Sequence, residues 1–212
     1  MKILEALKNV ETSHEPWTHH ILRNVLTDKQ VDEIQNAEIN REGILHDGTR
    51  SGYKDGEEKQ NHNLREYITW ENKDKYPELV KLIKDLQHRE VREAIAKLVG
   101  RDDAFEGAFI RLEVLRDTKS FWLKPHIDIP EKLISSLIYI NQTDEDINLG
   151  TDLYDKDGKL AYTVPFEHNL GYIFHGQDTL HGVEPGKQIK IDRRGVQLNY
   201  VTFDTDWPAM SL

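Results

Sequence analysis

After Gly100 the sequence changes from helical spacing to short strand-like runs, and this change constrains the fold more than any other feature. Turn residues separate the runs, such as DKDG at 155–158 and EPGK at 184–187. Many short strands at this spacing are typical of a sandwich or a jelly-roll barrel. In chain order the runs are GAFIRLEVLRD, SFWLKPHID, KLISSLIYIN, GTDLYD, KLAYTVPF, GYIFHG and GVQLNYVTF.

The first hundred residues carry mostly helical patterns. Apolar spacing predicts a short helix at 2–10 and a strand near 20–25. Thr27 is a good N-cap for a second helix. Pro77 opens the longest helical pattern, and Gly100 is a suitable C-cap for it.

We therefore expect one α+β domain spanning residues 1–212. Residues 1–100 would form a mainly helical support, and residues 101–212 would form the jelly-roll (double-stranded β-helix, cupin-like) core. The polar, glycine-containing stretch 41–63 predicts a long loop. A loop of this length is either a candidate lid over a functional site or a disordered excursion.

Composition excludes several classes of function. The net charge of −10 disfavours nucleic acid and anionic membrane surfaces as partners. The absence of cysteine excludes disulfides, thiolate metal sites and cysteine nucleophiles. No stretch approaches the roughly 20 apolar residues of a membrane span, and the first residues do not form a signal peptide. We expect a cytoplasmic protein.

The sequence PHIDIP places His126 and Asp128 two positions apart, immediately before an apolar run. In an extended strand such residues point the same way, so both can reach one metal ion. His181 follows 53 residues after Asp128, in DTLHGVEP. Two histidines and one carboxylate leave three of six octahedral positions open, as oxygen-activating Fe(II) requires.

Other interpretations of these residues are open. His126 is equally compatible with a turn, Asp128 with a helix N-cap and His181 with a loop. Zinc is an alternative metal, although the sequence has no HExxH motif. His175, which follows the apolar run GYIF, is an alternative to His181 as the distant ligand.

The order of the motifs resembles that of the 2-oxoglutarate and Fe(II)-dependent dioxygenases, in particular bacterial and phage members related to prolyl hydroxylases. The matching segments are His-Ile-Asp at 126–128, GTDLY at 150–154, GYIFHGQDTLHGV and RRGVQLNYV. The resemblance covers residues 109–203 well and extends weakly to the N-terminal helices. It implies a double-stranded β-helix in which His126, Asp128 and His181 bind iron.

The resemblance also implies a basic residue that binds 2-oxoglutarate shortly after the distal histidine, and both Arg193 and Arg194 qualify. The family often has Arg-x-Ser here, and Gly195 stands where the serine is usual. Strand alternation places Gln197 and Asn199 on the face of Arg193, which suits a polar cavity. We favour Arg193, although Arg194 remains open because a co-substrate carboxylate would also satisfy a lone buried guanidinium.

Weaker candidates for the cavity lining are Arg111, Trp122, Tyr139 and Asn199. The alternative for Trp122 and Tyr139 is a place in the hydrophobic core, and for Arg111 a place on the strand surface. Two further residues of the GTDLY turn lie either near the mouth of the site or simply within a hairpin: Thr151 and Tyr154.

The chemistry that the resemblance implies is oxidation of a substrate C–H bond by O2, with 2-oxoglutarate converted to succinate and CO2 and ascorbate as a reductant. Asp128 favours hydroxylation, because related halogenases lack this carboxylate. The substrate is a small molecule, a sugar or a peptide, and neither its identity nor the oligomeric state follows from the sequence. Alternatives are a catalytically silent jelly-roll binding module, lectin-like or cupin-like, and a zinc hydrolase.

Overall fold

A computed structural model of the chain describes residues 1–39, 63–117, 121–141, 147–184, 187 and 192–210. The helices in these ranges are α1 (Lys2–Lys8), α2 (Asp28–Gln35), α3 (Pro77–Gln87) and α4 (Arg89–Leu98). The strands are β1 (Glu11–Ser13), β2 (His19–Arg23), β3 (Asn63–Tyr67), β4 (Phe109–Asp117), β5 (Leu123–His126), β6 (Ser135–Ile140), β7 (Asp152–Tyr154), β8 (Leu160–Thr163), β9 (Leu170–Phe174), β10 (His181–Val183) and β11 (Arg193–Val201).

The strands form two antiparallel sheets. The large sheet has seven strands in the order β1-β2-β9-β6-β11-β4-β3, and the small sheet has four in the order β5-β10-β7-β8. The helices pack on the outer face of the large sheet, and the small sheet covers its inner face. The predicted α+β class is confirmed.

Two hydrophobic clusters follow from this arrangement. The outer cluster joins the helices to the large sheet and includes Leu79, Ile95 and Leu198. The inner cluster lies between the sheets and includes Leu137 and Leu153.

The first hundred residues contribute β1, β2 and β3 to the large sheet in addition to the helices, so residue 100 does not separate helices from strands.

The longest predicted helix is two helices, and this part of the prediction was wrong. His88 adopts an extended conformation (φ −66°, ψ 133°) between α3 and α4. The apolar stripe skips from Leu86 to Val91, a spacing of five that does not fit a continuous helix. The side chain of Arg92 donates to Gln87 O at 3.2 Å and so stabilises the end of α3.

Strand β11 lies between β6 and β4 in the large sheet, and its alternation determines which of its side chains face the interior. It pairs with β4 from Arg193 opposite Asp117 to Val201 opposite Phe109, and with β6 on its other side. Side chains alternate between the two faces of a strand. Odd-numbered residues of β11 therefore face the small sheet, and even-numbered residues face the helices. No helix in the described ranges is long and apolar enough to cross a membrane.

Candidate functional site

The small sheet brings the two histidines together. His126 at the end of β5 is directly opposite His181 at the start of β10, and their ring centroids are 4.4 Å apart. Asp128 follows β5. Its carboxylate oxygens lie 3.9 Å from His126 Nε2 and 3.8 Å from His181 Nε2. One donor atom from each of the three side chains lies within 4.8 Å of the others.

Backbone carbonyls orient both imidazole rings. His126 Nδ1 lies 2.9 Å from Lys124 O, and His181 Nδ1 lies 2.9 Å from Thr179 O. A carbonyl oxygen can only accept, so each Nδ1 carries the proton and donates it. Each Nε2 therefore presents a lone pair, which is the form of histidine that binds metals.

Asp128 is buried and held from several sides. Lys132 Nζ lies 2.7 Å from Oδ1, and the hydroxyl of Ser135 donates to Oδ2. The backbone N–H of Asp128 donates to Gly176 O at 2.9 Å. A Cβ at Gly176 would lie 2.9 Å from the Cβ of Asp128, so glycine leaves the space that the carboxylate occupies. These contacts fix the carboxylate while leaving lone pairs for a cation.

The charge states of the three side chains suit metal binding at neutral pH. Burial lowers the pKa of His181 to about 4 and also lowers the pKa of His126. Burial opposes ionisation of Asp128, but the Lys132 ammonium and the neighbouring groups outweigh it and lower its pKa to about 2. Two neutral imidazoles and one carboxylate result, which are the protonation states that a divalent metal requires.

This donor set fits Fe(II). Nitrogen and carboxylate ligands in a two-to-one ratio on one side of a metal leave positions open for other ligands, whereas closed structural sites use four protein ligands. Among the residues that the structure describes, no other trio of His, Asp or Glu side chains converges in this way. His175, the alternative ligand, lies outside the trio, with its Nδ1 3.0 Å from Asp178 Oδ2.

The two candidate arginines point to opposite faces of the large sheet, as strand alternation predicts. Arg194 faces the helices, where its Nη1 donates to Ala37 O at 3.0 Å beyond the end of α2. Arg193 faces the interior and is only 2% exposed. The structure thus places Arg193, and not Arg194, on the side of the small sheet.

Arg193 retains hydrogen-bonding capacity inside the protein. Its Nη1 donates to Leu149 O at 2.5 Å, and its Nη2 lies 3.2 Å from Asp117 Oδ2. Its Nε has no hydrogen-bond partner among the residues that the structure describes. The rings of Phe121 and Tyr139 each have their centroid 5.5 Å from the guanidinium carbon. A buried donor without a partner is costly unless a ligand satisfies it.

The structure explains why residue 195 is a glycine. A Cβ at this position would lie 2.3 Å from Ile138 O on the neighbouring strand β6, closer than any real contact allows. The serine that the dioxygenase pattern usually has here would require the two strands to move apart. The sequence departs from the pattern because these strands approach closely.

Tyr139 lies next to Arg193 within a group of hydroxyls. Its hydroxyl accepts from Thr151 N at 2.8 Å and shares a hydrogen bond of 2.7 Å with Thr151 Oγ1. The Thr151 hydroxyl lies 3.0 Å from the hydroxyl of Tyr172. Burial raises the pKa of Tyr139, so its hydroxyl stays protonated. Tyr139 is thus fully buried in the core and borders Arg193.

Asn199 is fully buried and pairs in register with Arg111 on β4, so both belong to the inner face. The Arg111 guanidinium lies 4.6 Å from the ring centroid of Tyr67.

The backbone carbonyl of Tyr154 accepts a hydrogen bond from Trp17 Nε1. Trp122 is partly buried just before β5. Residues 41–62 of the candidate lid lie outside the described residues, whereas its last residue, Asn63, begins β3.

Sequence reasoning missed several residues that organise this site. Ser135 contacts Asp128 from within an apolar strand, and Gly176 leaves room for the same carboxylate. Asp117 and Arg65 lie beside Arg193. The alternation of β4 carried a signal, because Ile110, Leu112 and Val114 share one face while Asp117 and other charged residues share the opposite face.

Comparison with solved structures identifies similar folds, whereas comparisons of the sequence do not. No protein-family model matches the sequence, and a search of curated proteins found no match. Among solved structures, a prolyl-4-hydroxylase from Pseudomonas putida superposes with a TM-score of 0.58 at 12% identity, over 95% of this chain and 98% of that one. A prolyl hydroxylase from Trichoplax adhaerens, in complex with a hypoxia-inducible-factor peptide fragment, gives 0.54 at 16% identity over 95% and 88%.

A putative 2OG-Fe(II) oxygenase family protein from Caulobacter crescentus gives a TM-score of 0.52 at 14% identity, over 86% of this chain and 77% of that one. At such identities the likeness shows a shared fold. The resemblance seen in the motifs therefore extends to the architecture, and the predicted jelly-roll core is confirmed.

Proposed function

We propose that this protein is a non-haem Fe(II)- and 2-oxoglutarate-dependent dioxygenase that hydroxylates a C–H bond. The observation that carries the proposal is the convergence of His126, Asp128 and His181 on the same interior as the buried, incompletely paired Arg193. A metal trio alone would fit several chemistries. The added guanidinium specifies a carboxylate ligand beside the metal.

The spacing within the interior supports a bridging co-substrate. Ser135, which contacts Asp128, and Tyr139, which borders Arg193, lie on the same face of β6. Four residues of strand separate their Cα atoms by roughly 13 Å. This spacing supports a dicarboxylate that would reach from the metal ligands to Arg193, with its oxo-acid end at the metal.

The protein's own residues would bind, orient and exclude water. His126, Asp128 and His181 would hold the iron, and Arg193 would pair with the distal carboxylate of 2-oxoglutarate. The inner cluster, with Leu137 and Leu153, supplies apolar side chains on this side of the large sheet that would help to exclude water. When bound, the iron and 2-oxoglutarate supply the oxidising chemistry with O2, yielding succinate and CO2.

The substrate class that we propose is a small molecule, a sugar or a peptide. The acidic net charge disfavours nucleic acid. The Trichoplax adhaerens structure with a similar fold holds a peptide fragment, which makes peptides a reasonable first group to screen. The cysteine-free sequence is compatible with a reducing cytoplasm, the location that we propose.

The first experiment is turnover without a substrate. Purified protein is incubated with Fe(II), ascorbate, O2 and 2-oxoglutarate, and succinate is measured; an anaerobic sample is monitored for an Fe(II)-dependent absorbance change when 2-oxoglutarate is added. We expect both signals. Absence of both would exclude the proposal. A silent binding module would give neither, and a zinc hydrolase would need zinc and no 2-oxoglutarate.

A further inference from the structure

Two arginines and one carboxylate form a buried cluster at the end of the interior farthest from Asp128. Asp117, at the end of β4, is fully buried. Arg65 Nη1 lies 2.7 Å from Asp117 Oδ1, and Arg193 Nη2 lies 3.2 Å from Asp117 Oδ2. Phe121 packs against both guanidiniums, with its ring centroid 5.9 Å from Arg65 Cζ and 5.5 Å from Arg193 Cζ.

Asp117 does not pair equally with the two arginines. Its contact with Arg65 is a short hydrogen bond, whereas its Oδ2, the oxygen nearest Arg193, accepts no hydrogen bond from the described residues. The Nε of Arg193 also lacks a partner there, and a buried donor of this kind is costly unless a ligand satisfies it. Lys187, another cation near this cluster, is already paired with Asp152.

We propose that Arg65 is a positioning residue for the carboxylate site at Arg193. By pairing with Asp117, Arg65 holds that carboxylate in an orientation that leaves donor groups of Arg193 for a ligand. The site therefore selects a co-substrate with a second, distal carboxylate over a monocarboxylic 2-oxo acid. This inference rests on the function proposed above and adds a selectivity determinant to it.

The consequence of losing Arg65 follows from the geometry. Without it, Asp117 would be free to turn towards Arg193, because the two residues already face each other across β4 and β11. An incoming carboxylate would then have to displace Asp117 from Arg193. Binding of a dicarboxylate would weaken, while binding of a monocarboxylate, which does not reach the cluster, would not change.

The test measures dissociation constants by anaerobic calorimetry on the Fe(II)-loaded protein. The two probes are 2-oxoglutarate and 2-oxobutyrate, which share the oxo-acid end and differ in the distal carboxylate. The variants are Arg65→Met, which removes the charge, and Arg65→Lys, which keeps it. The matched control is Arg92→Met. Arg92 and Arg65 are both 8% exposed, but Arg92 donates to backbone carbonyls on the helix side of the molecule.

We expect Arg65→Met to raise the dissociation constant of 2-oxoglutarate by about tenfold or more and to leave that of 2-oxobutyrate within about twofold. Arg65→Lys should retain part of the affinity, and Arg92→Met should alter neither constant. Unchanged 2-oxoglutarate binding in both Arg65 variants, or equal weakening of both probes, would overturn the inference. If the wild-type protein binds neither probe, the proposed function itself fails.

Discussion

The two faces of β11 bury side chains of opposite chemistry. On the helix-facing side, Val196, Leu198 and Tyr200 are at most 2% exposed and belong to the outer cluster. On the inner side, Arg193 and Asn199 are just as inaccessible. Burying apolar groups stabilises the fold, whereas burying a guanidinium opposes folding unless it is paired. Burial on one face therefore serves stability, and burial on the other serves binding.

Strand β4 repeats this division. Ile110, Leu112 and Val114 pack towards the helices, while Glu113 and Asp117 occupy the inner face. The large sheet thus separates the outer apolar cluster from an inner side on which buried charged and amide groups lie beside the inner apolar cluster. Substitutions on the two faces should affect different measurements, and the predictions below use that difference.

Loss of a metal ligand should have the largest effect on function. Asp128→Ala removes the only carboxylate of the trio, so we expect no succinate formation and no retention of Fe(II) after desalting. His126→Ala should behave in the same way. His175→Ala is the control, since His175 lies outside the trio, and it should retain activity. Normal turnover in Asp128→Ala, or its loss in His175→Ala, would show that the ligands are assigned wrongly.

The adjacent residues Arg193 and Arg194 offer the sharpest test of the difference between the two faces of β11. Arg193→Met should raise the dissociation constant of 2-oxoglutarate by about 30-fold or more, because a buried charge-assisted contact is lost. Arg194→Met, one residue away, should leave that constant unchanged and should only lower the melting temperature, because its contacts are to the end of α2. Calorimetry with 2-oxoglutarate separates the two, and the reverse ranking would move the carboxylate site to Arg194.

Ser135→Ala should have a smaller effect, limited to the metal. It removes the hydroxyl that holds Asp128 Oδ2. Loss of such a supporting contact lowers metal affinity by about 10- to 100-fold. Competition of the protein with a chelator for Fe(II) measures this change. Ser136→Ala, on the opposite face of β6, is the matched control, and equal affinities of the two variants would contradict the assigned role of Ser135.

Leu198→Ala should have the smallest effect at the site and a large effect on stability. It opens a cavity in the outer cluster and should reduce the free energy of unfolding by about 2–5 kcal/mol. The dissociation constant of 2-oxoglutarate, measured well below the melting temperature, should stay at the wild-type value. A change in that constant comparable to that of Arg193→Met would mean that the two faces are not independent.

The sequence predicted those parts of the site that depend on local patterns. The HxD spacing, the strand-like runs and the alternation around Arg193 are all visible within a few residues. The same applies to α1 and to the Thr27 capping box of α2.

The missed features depend on which strands are neighbours. Arg65 and Asp117 are 52 positions apart, and only the pairing of β3, β4 and β11 brings them to Arg193. The sequence HGV is too short to show alternation, so it left a loop position open for His181. In the structure it forms β10, and its pairing with β5 places His181 opposite His126.

The most direct test of the central claim is a crystal structure of the protein with Fe(II) and 2-oxoglutarate. The crystals are grown anaerobically, and anomalous diffraction is recorded at the iron absorption edge. The account predicts one strong anomalous peak within bonding distance of His126 Nε2, His181 Nε2 and an oxygen of Asp128. It also predicts 2-oxoglutarate between that peak and Arg193, with the distal carboxylate against the guanidinium. Iron bound elsewhere, or 2-oxoglutarate density away from Arg193, would contradict it.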